Sequence, residues 1–264
     1  MLYEMNTDTP FALVDAIQKA TVRLVATSPA GHGLLLIGGF RYRFIDESVR
    51  TSKDIDYHWA GNLEEKQREL LSLFQKRLLP ELRRQFGYDG RVTAGDRPGA
   101  DSPAVRTVAL ALWKLDTDSP RIEIPVEITR VICADKTEIR TLDGVVYPTL
   151  SDADLIECKI VAVFNRRIME HRDLVDVFLF GNKLLPDSPV RLKRKMRVLE
   201  LAGSDISKQL TDLEDHRAYH TRAIQAIIDS QLDPAAARNI NDAGGGARVL
   251  QKAIETIRKG LGLP

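Results

Sequence analysis

The chain is poor in the residues that build metal clusters, disulfide scaffolds and membrane anchors. Its 264 residues contain two cysteines, Cys133 and Cys158, too few and too far apart for a disulfide framework or a zinc-ligand pair. Both read as buried free thiols. Five histidines exclude a histidine-rich metal site. His216 and His220 lie one helical turn apart but lack the glutamate and third ligand of a zincin, so they read as a solvated pair. No Ser-His-Asp order stands out and no internal repeat is apparent. No apolar run approaches bilayer-spanning length, so no membrane association is expected. The opening residues, Met1-Leu2-Tyr3-Glu4-Met5, have neither the basic start nor the apolar core of a secretory signal, and a cytoplasmic location is expected. A net charge of +1 gives no global bias toward nucleic acid or an acidic surface.

What is present is an ordinary globular composition, 44% hydrophobic and 28% charged, long enough for one large domain or two smaller ones. Residues 10–27 read as a helix with Phe11, Leu13, Val14, Ile17 and Val22 on its apolar side. The run Leu34-Leu35-Leu36-Ile37 reads as a buried strand, Gly38-Gly39 as a turn, and Phe40, Phe44 and Ile45 as a helix face leading to a second strand through Asp54-Ile55-Asp56. Residues 64–86 predict a long amphipathic helix kinked at Pro80. Gly87 to Pro103 reads as loop. Val105–Leu115 and Ile122–Ile132 read as strands joined by a turn over Asp116–Pro120, and Asp143-Gly144 marks a hairpin. After Pro148 the pattern becomes almost wholly helical, with Ser151 and Asp152 as caps and Gly244-Gly245-Gly246 as a helix-to-helix turn. The expected division is therefore a mixed α/β domain over 1–150 and a helical domain over 151–264.

The chemistry-bearing residues cluster around the glycine pair. Asp54 and Asp56 alternate in a strand and so share a face. Two carboxylates beside a bare glycine turn suit Mg²⁺, which takes oxygen ligands together with substrate phosphates. That combination is the apparatus of a nucleotidyltransferase. A third carboxylate comes from Glu123 or Glu127, which share a face of one strand. Pro125 argues for an edge or irregular position there. Glu127 is favoured because the strand after the proline is the cleaner one, and Glu123 stays open. Arg50 and Ser52 could contact a triphosphate or simply end a loop. Lys159 lies on a helix beside apolar positions, and Asp173 and Asp176 share a helix side. The run Arg191, Lys193, Arg194, Lys195, Arg197 contains no acidic residue and reads as a solvated helix face or a footprint for RNA phosphates.

Taken in order, Gly38-Gly39, Arg50-Thr51-Ser52-Lys53-Asp54-Ile55-Asp56, a strand with Glu-Ile-Thr, Leu155-Ile156-Glu157-Cys158-Lys159 and Arg172-Asp173-Leu174-Val175-Asp176 resemble the AbiEii/AbiGii toxin family, over residues 34 to 180. The resemblance implies an α+β fold: a minimal polymerase-β-type nucleotidyltransferase domain, a mixed sheet flanked by helices, then a helical C-terminal domain that completes the nucleotide and acceptor cleft. It implies a Mg²⁺-dependent enzyme that transfers a nucleotide from an NTP to an acceptor hydroxyl. The tRNA 3′ end is the expected acceptor and a cognate antitoxin the expected partner. Asp54, Asp56 and Glu127 would bind the metals, and Gly38, Gly39, Arg50, Ser52 and Lys159 would hold the nucleotide. Asp173 and Asp176 match an Arg-Asp-x-x-Asp motif in which an acidic residue is needed for activity. A small-molecule or protein acceptor, or a non-catalytic nucleotide-binding protein of the same fold, are the alternatives.

Overall fold

The alternation of short apolar runs with glycine turns in the first half of the sequence produces a seven-stranded mixed sheet. The computed structural model describes residues 10–95, 105–115 and 122–263. The chain divides into two units: Met1–Asp46, Ser52–Arg130 and Glu138–Thr149 form one, and Glu47–Thr51, Val131–Thr137 and Leu150–Pro264 the other.

In the first unit, α1 (Pro10–Ala26) precedes β1 (Leu35–Ile37), α2 (Gly38–Phe44) and β2 (Ile55–His58), as the sequence pattern predicts. Then come α3 (Leu63–Leu73), α4 (Leu79–Phe86), β3 (Tyr88–Gly95), β4 (Val105–Lys114), β5 (Ile122–Thr129), β6 (Glu138–Leu142) and β7 (Val145–Thr149). The strand order is β3-β4-β5-β2-β1-β7-β6. β2 runs parallel to β5 and β1 parallel to β7, and the other neighbours are antiparallel. Alternation sends Leu36, Ile55, Tyr57, Val108, Leu110, Ile124, Val126 and Ile128 into a core shared with Leu70, Phe74, Leu78 and Leu82 of the α3–α4 segment.

Several local expectations are modified. The helix predicted over 64–86 is continuous but not uniform. Phe74–Leu78 forms a π-helical turn in which the Leu79 N–H donates to the Phe74 carbonyl, five residues back, just before Pro80. The proline has no N–H to give, so the wider turn absorbs the mismatch that a kink would otherwise take. Asn62 caps the start of α3, its side chain accepting from the N–H groups of Glu64 and Glu65. The loop expected over 87–103 contains β3, an edge strand, and the strand expected to reach Ile132 ends at Thr129. The predicted turn at Asp116–Pro120 lies outside the described residues. Asp143 and Gly144 both have positive φ, 50° and 73°, and turn β6 into β7 as the hairpin pattern requires. Pro125 lies in an inner strand, not at an edge. β5 has β2 as its second neighbour only from Val126 onward, so the proline is tolerated where one neighbour is missing.

The second unit is helical: α5 (Asp152–Asn165), α6 (His171–Phe180), α7 (Ser188–Val198), α8 (Gly203–Asp215), α9 (Arg217–Gln231), α10 (Pro234–Asp242) and α11 (Gly245–Leu261). Ser151 caps α5, its hydroxyl accepting from the Asp154 N–H at 3.0 Å. Gly244 and Gly245, at φ 114° and 56°, turn α10 into α11. Leu174, Val177, Leu192, Ile224, Ile228, Val249, Leu250 and Ile257 are buried between these helices.

The basic run 191–197 is neither a solvated face nor a continuous footprint. Lys195 is buried and its ammonium donates to Asp154 at 2.5 Å and lies 2.9 Å from Glu157, both of them fully buried. Arg191 pairs with Asp135 and Glu157, each at 2.7 Å. Lys193, Arg194 and Arg197 alone of the five are exposed. Cys133, expected to be buried, is exposed in the 131–137 segment, while Cys158 is partly buried; both thiols are free.

Candidate active site

A row of paired residues crosses four strands on the face of the sheet turned away from Ile55, Val126 and Val108. Thr107 on β4 pairs with Glu127 on β5, Glu127 with Asp56 on β2, and Asp56 with Ile37 at the end of β1. Directly paired residues project to the same face with Cβ atoms roughly 5 Å apart, so register alone places the Glu127 and Asp56 carboxylates side by side. Glu123 pairs with Ala111 and has no β2 neighbour; it lies four residues, roughly 13 Å of strand, away.

Ile37 leads directly into Gly38, whose φ of +74° favours glycine. A Cβ built there would lie 1.9 Å from Asp56 Oδ2, so the carboxylate packs against bare backbone. Gly39 follows, buried in the first turn of α2. Asp54 precedes β2 by one residue and is 7% exposed. Its Oδ1 accepts from the Ser52 hydroxyl at 3.0 Å, and the same hydroxyl lies 2.9 Å from the Asp54 carbonyl. The Ser52 carbonyl accepts in turn from Gln18 Nε2 of α1 at 3.1 Å. Ser52, offered to a triphosphate by the sequence, thus holds the aspartate loop. Gln18, fully buried, escaped sequence reasoning. The available signal was a polar residue one helical turn after Val14, on an apolar stripe.

Among the described residues no three His, Cys, Asp or Glu side chains form a ready-made metal cage. Asp54, Asp56 and Glu127 nevertheless fit Mg²⁺. They are oxygen donors only: Asp56 and Glu127 share one sheet face, Asp54 lies one residue before β2, and the Asp56 carboxylate already approaches the Gly38 backbone. Mg²⁺ is held by one or two carboxylates with phosphates and water completing its shell, not by an all-protein cage.

The remaining candidates gather inside the second unit. Arg50 is 4% exposed and forks onto Asp176, with Nε to Oδ1 at 2.7 Å and Nη2 to Oδ2 at 2.9 Å. Lys159 Nζ stands 2.9 Å from both Asp173 Oδ1 and Asp176 Oδ2. Asp173 and Asp176 are fully buried. Burial alone would raise the Asp176 carboxyl, but the charges of Lys159 and Arg50 outweigh it and hold the group below its ordinary value. For Lys159, burial opposes the charge and the two aspartates overcome it, pushing the ammonium up to about 12. Residues 49–51 are stapled by the Thr51 N–H to the Gln231 carbonyl at 2.7 Å and by the Asp233 N–H to the Val49 carbonyl at 2.8 Å. The two histidines expected to be a solvated pair differ: His220 is buried, its Nδ1 2.9 Å from Nε2 of His171, and His216 bonds Asp212.

The profile described as "Nucleotidyl transferase AbiEii toxin, Type IV TA system" matches residues 22–243. The chain belongs to the AbiEii nucleotidyltransferase toxin family. It is a nucleotidyltransferase of a family named for toxins of type IV toxin–antitoxin systems. MenT4, a nucleotidyltransferase toxin from Mycobacterium tuberculosis, matches this AbiEii chain with a TM-score of 0.54 at 18% identity, over 96% of this chain and 92% of that one. JHP933 from Helicobacter pylori matches with a TM-score of 0.54 at 13% identity, over 96% and 92% of the two chains. At these identities the likeness shows the fold alone. No curated protein matches the sequence. No helix among the described residues is long and apolar enough to cross a membrane.

Proposed function

We propose that this AbiEii protein is a Mg²⁺-dependent transferase that moves a nucleoside monophosphate from an NTP to an acceptor hydroxyl. The observation that carries the reading is the register Asp56–Glu127 beside the Gly38 approach, which supplies paired carboxylates next to bare backbone. Asp54, Asp56 and Glu127 would hold the metal. When bound there, Mg²⁺ would neutralise charge on the triphosphate and on the attacking and leaving oxygens. Gly38 lets the Asp56 carboxylate lie against bare backbone, and Gly38 and Gly39 would turn main-chain N–H groups toward the phosphate oxygens. The acceptor oxygen attacks the α-phosphorus, its proton passes to the Glu127 carboxylate, and the bond from the α-phosphorus to the bridging oxygen breaks to release pyrophosphate.

The proposed acceptor is RNA, with the tRNA 3′ end first. Lys193, Arg194 and Arg197 support this, because their exposed cations are able to neutralise phosphates. Purified protein, Mg²⁺ and each α-³²P-labelled NTP, with and without total tRNA, test the proposal against an Asp54→Ala/Asp56→Ala variant. Label on tRNA that requires both carboxylates is the expected result. Label on protein instead would move the acceptor to a protein hydroxyl. A folded double variant that labels as well as the wild type would overturn the site.

A further inference from the structure

The row that pairs Glu127 with Asp56 continues one strand further, to Thr107. Thr107 is 8% exposed, and among the described residues its hydroxyl has no hydrogen-bond partner. Its main chain is engaged, since the Thr107 carbonyl accepts from Gln67 Nε2 at 2.8 Å. Only the hydroxyl is unspent. A buried hydroxyl without a partner is unfavourable, so such groups in native proteins mark a strained, catalytic or water- or ion-linked position. On β4 the residues sharing this face with Thr107 are Val105, Ala109, Ala111 and Trp113, none of which carries a hydroxyl or a carboxylate. The one hydroxyl in that row therefore stands opposite the one carboxylate of β5 that neighbours Asp56.

We infer that Thr107 is a positioning residue for Glu127. The inference rests on the proposed role of Glu127 in the metal site. The Thr107 hydroxyl donates to the Glu127 carboxylate, directly or through one water, when the carboxylate turns to its working orientation. A cross-strand pair with Cβ atoms roughly 5 Å apart sets the hydroxyl beside the glutamate side chain on one face. The donated bond fixes the direction in which the carboxylate oxygens face, so they meet the metal without first reorganising. Groups that hold a metal-binding carboxylate from behind typically alter metal affinity about 10–100-fold when removed.

Thr107→Val removes the hydroxyl and keeps the β-branched shape, and Thr107→Ser keeps the hydroxyl. Mn²⁺ binding, followed by electron paramagnetic resonance with a non-hydrolysable NTP analogue, reads the metal site without turnover, and thermal melting confirms the fold. Thr107→Val is expected to weaken Mn²⁺ binding about tenfold, with Thr107→Ser within twofold of wild type. If Thr107→Val binds Mn²⁺ as wild type does while Glu127→Gln does not, the inference is overturned and the site stands. If Glu127→Gln and Asp56→Asn both bind Mn²⁺ normally, or the wild type binds none, the site itself is overturned and the inference falls with it.

Discussion

Gly38 and Asp56 are fitted to each other across β1 and β2: the space a Cβ of residue 38 would fill is taken by the Asp56 carboxylate. Gly38→Ala should therefore act twice. The left-handed backbone costs about 1–2 kcal/mol with any side chain, and the displaced carboxylate should lower transfer roughly a hundredfold. Gly144→Ala separates the effects, because Gly144 has φ +73° but nothing within 4 Å of its added Cβ. That variant should lose comparable stability by thermal melting and keep its transfer rate.

Arg50 is fixed by Asp176, so its substitution should be read in stability before it is read in nucleotide affinity. Arg50→Ala leaves Asp176 buried with one cation fewer and should cost about 3–5 kcal/mol in urea unfolding. Arg50→Lys should restore only part, because a single ammonium cannot fork onto both carboxylate oxygens. An Arg50→Ala protein with wild-type stability and weakened NTP binding would instead return Arg50 to the triphosphate.

The basic run of α7 should split under substitution. Lys195→Met removes a buried partner from Asp154 and Glu157 and should cost about 3–5 kcal/mol. Lys193→Met and Arg194→Met should change stability by no more than about 0.5 kcal/mol. If the exposed members meet RNA, these two should reduce tRNA binding and flatten its salt dependence, measured by filter binding across a salt series.

His171 should make stability fall in mildly acidic solution. Burial first, and the neighbouring His220 second, lower its pKa from the ordinary 6.5, while Glu170 pulls it back. Below 6.5 the unfolded chain binds a proton that the folded protein still refuses, so the unfolded state gains protons first and stability declines as pH falls. His171→Gln should flatten the dependence of the urea midpoint on pH below 6.5.

The parts of this fold that were legible in the sequence are those with local causes. Leu34–Ile37 followed by two glycines announces strand, turn and helix because each residue's preference agrees with its neighbours. Asp143-Gly144 announces its hairpin for the same reason. β3 was hidden because Asp89, Gly90 and Gly95 look like loop. Gly90 is in the strand because Leu112 and the Ala111 carbonyl leave no room for a Cβ, a contact made by a distant strand. Between Glu123 and Glu127 the sequence favoured Glu127 only through the cleaner strand after Pro125; both share one face, and pairing with β2 sets Glu127 beside Asp56. Lys195 and Arg191 looked like surface charge because their acidic partners lie on α5 and in the 131–137 segment.

The helical unit takes in two short stretches from the earlier part of the chain, and this changes how the protein can be cut. A fragment ending at Leu150 would keep Arg50 but lose Asp176, and would keep the Ala134 and Asp135 N–H groups but lose the Asp154 carboxylate they bond at 2.9–3.0 Å. Its complement would retain the fully buried Asp176 without Arg50 and the fully buried Asp154 without the Ala134 and Asp135 N–H groups. Expressed separately, the two halves would each carry broken ion pairs, whereas a split within an exposed helix connection such as 199–203 would leave these pairs together.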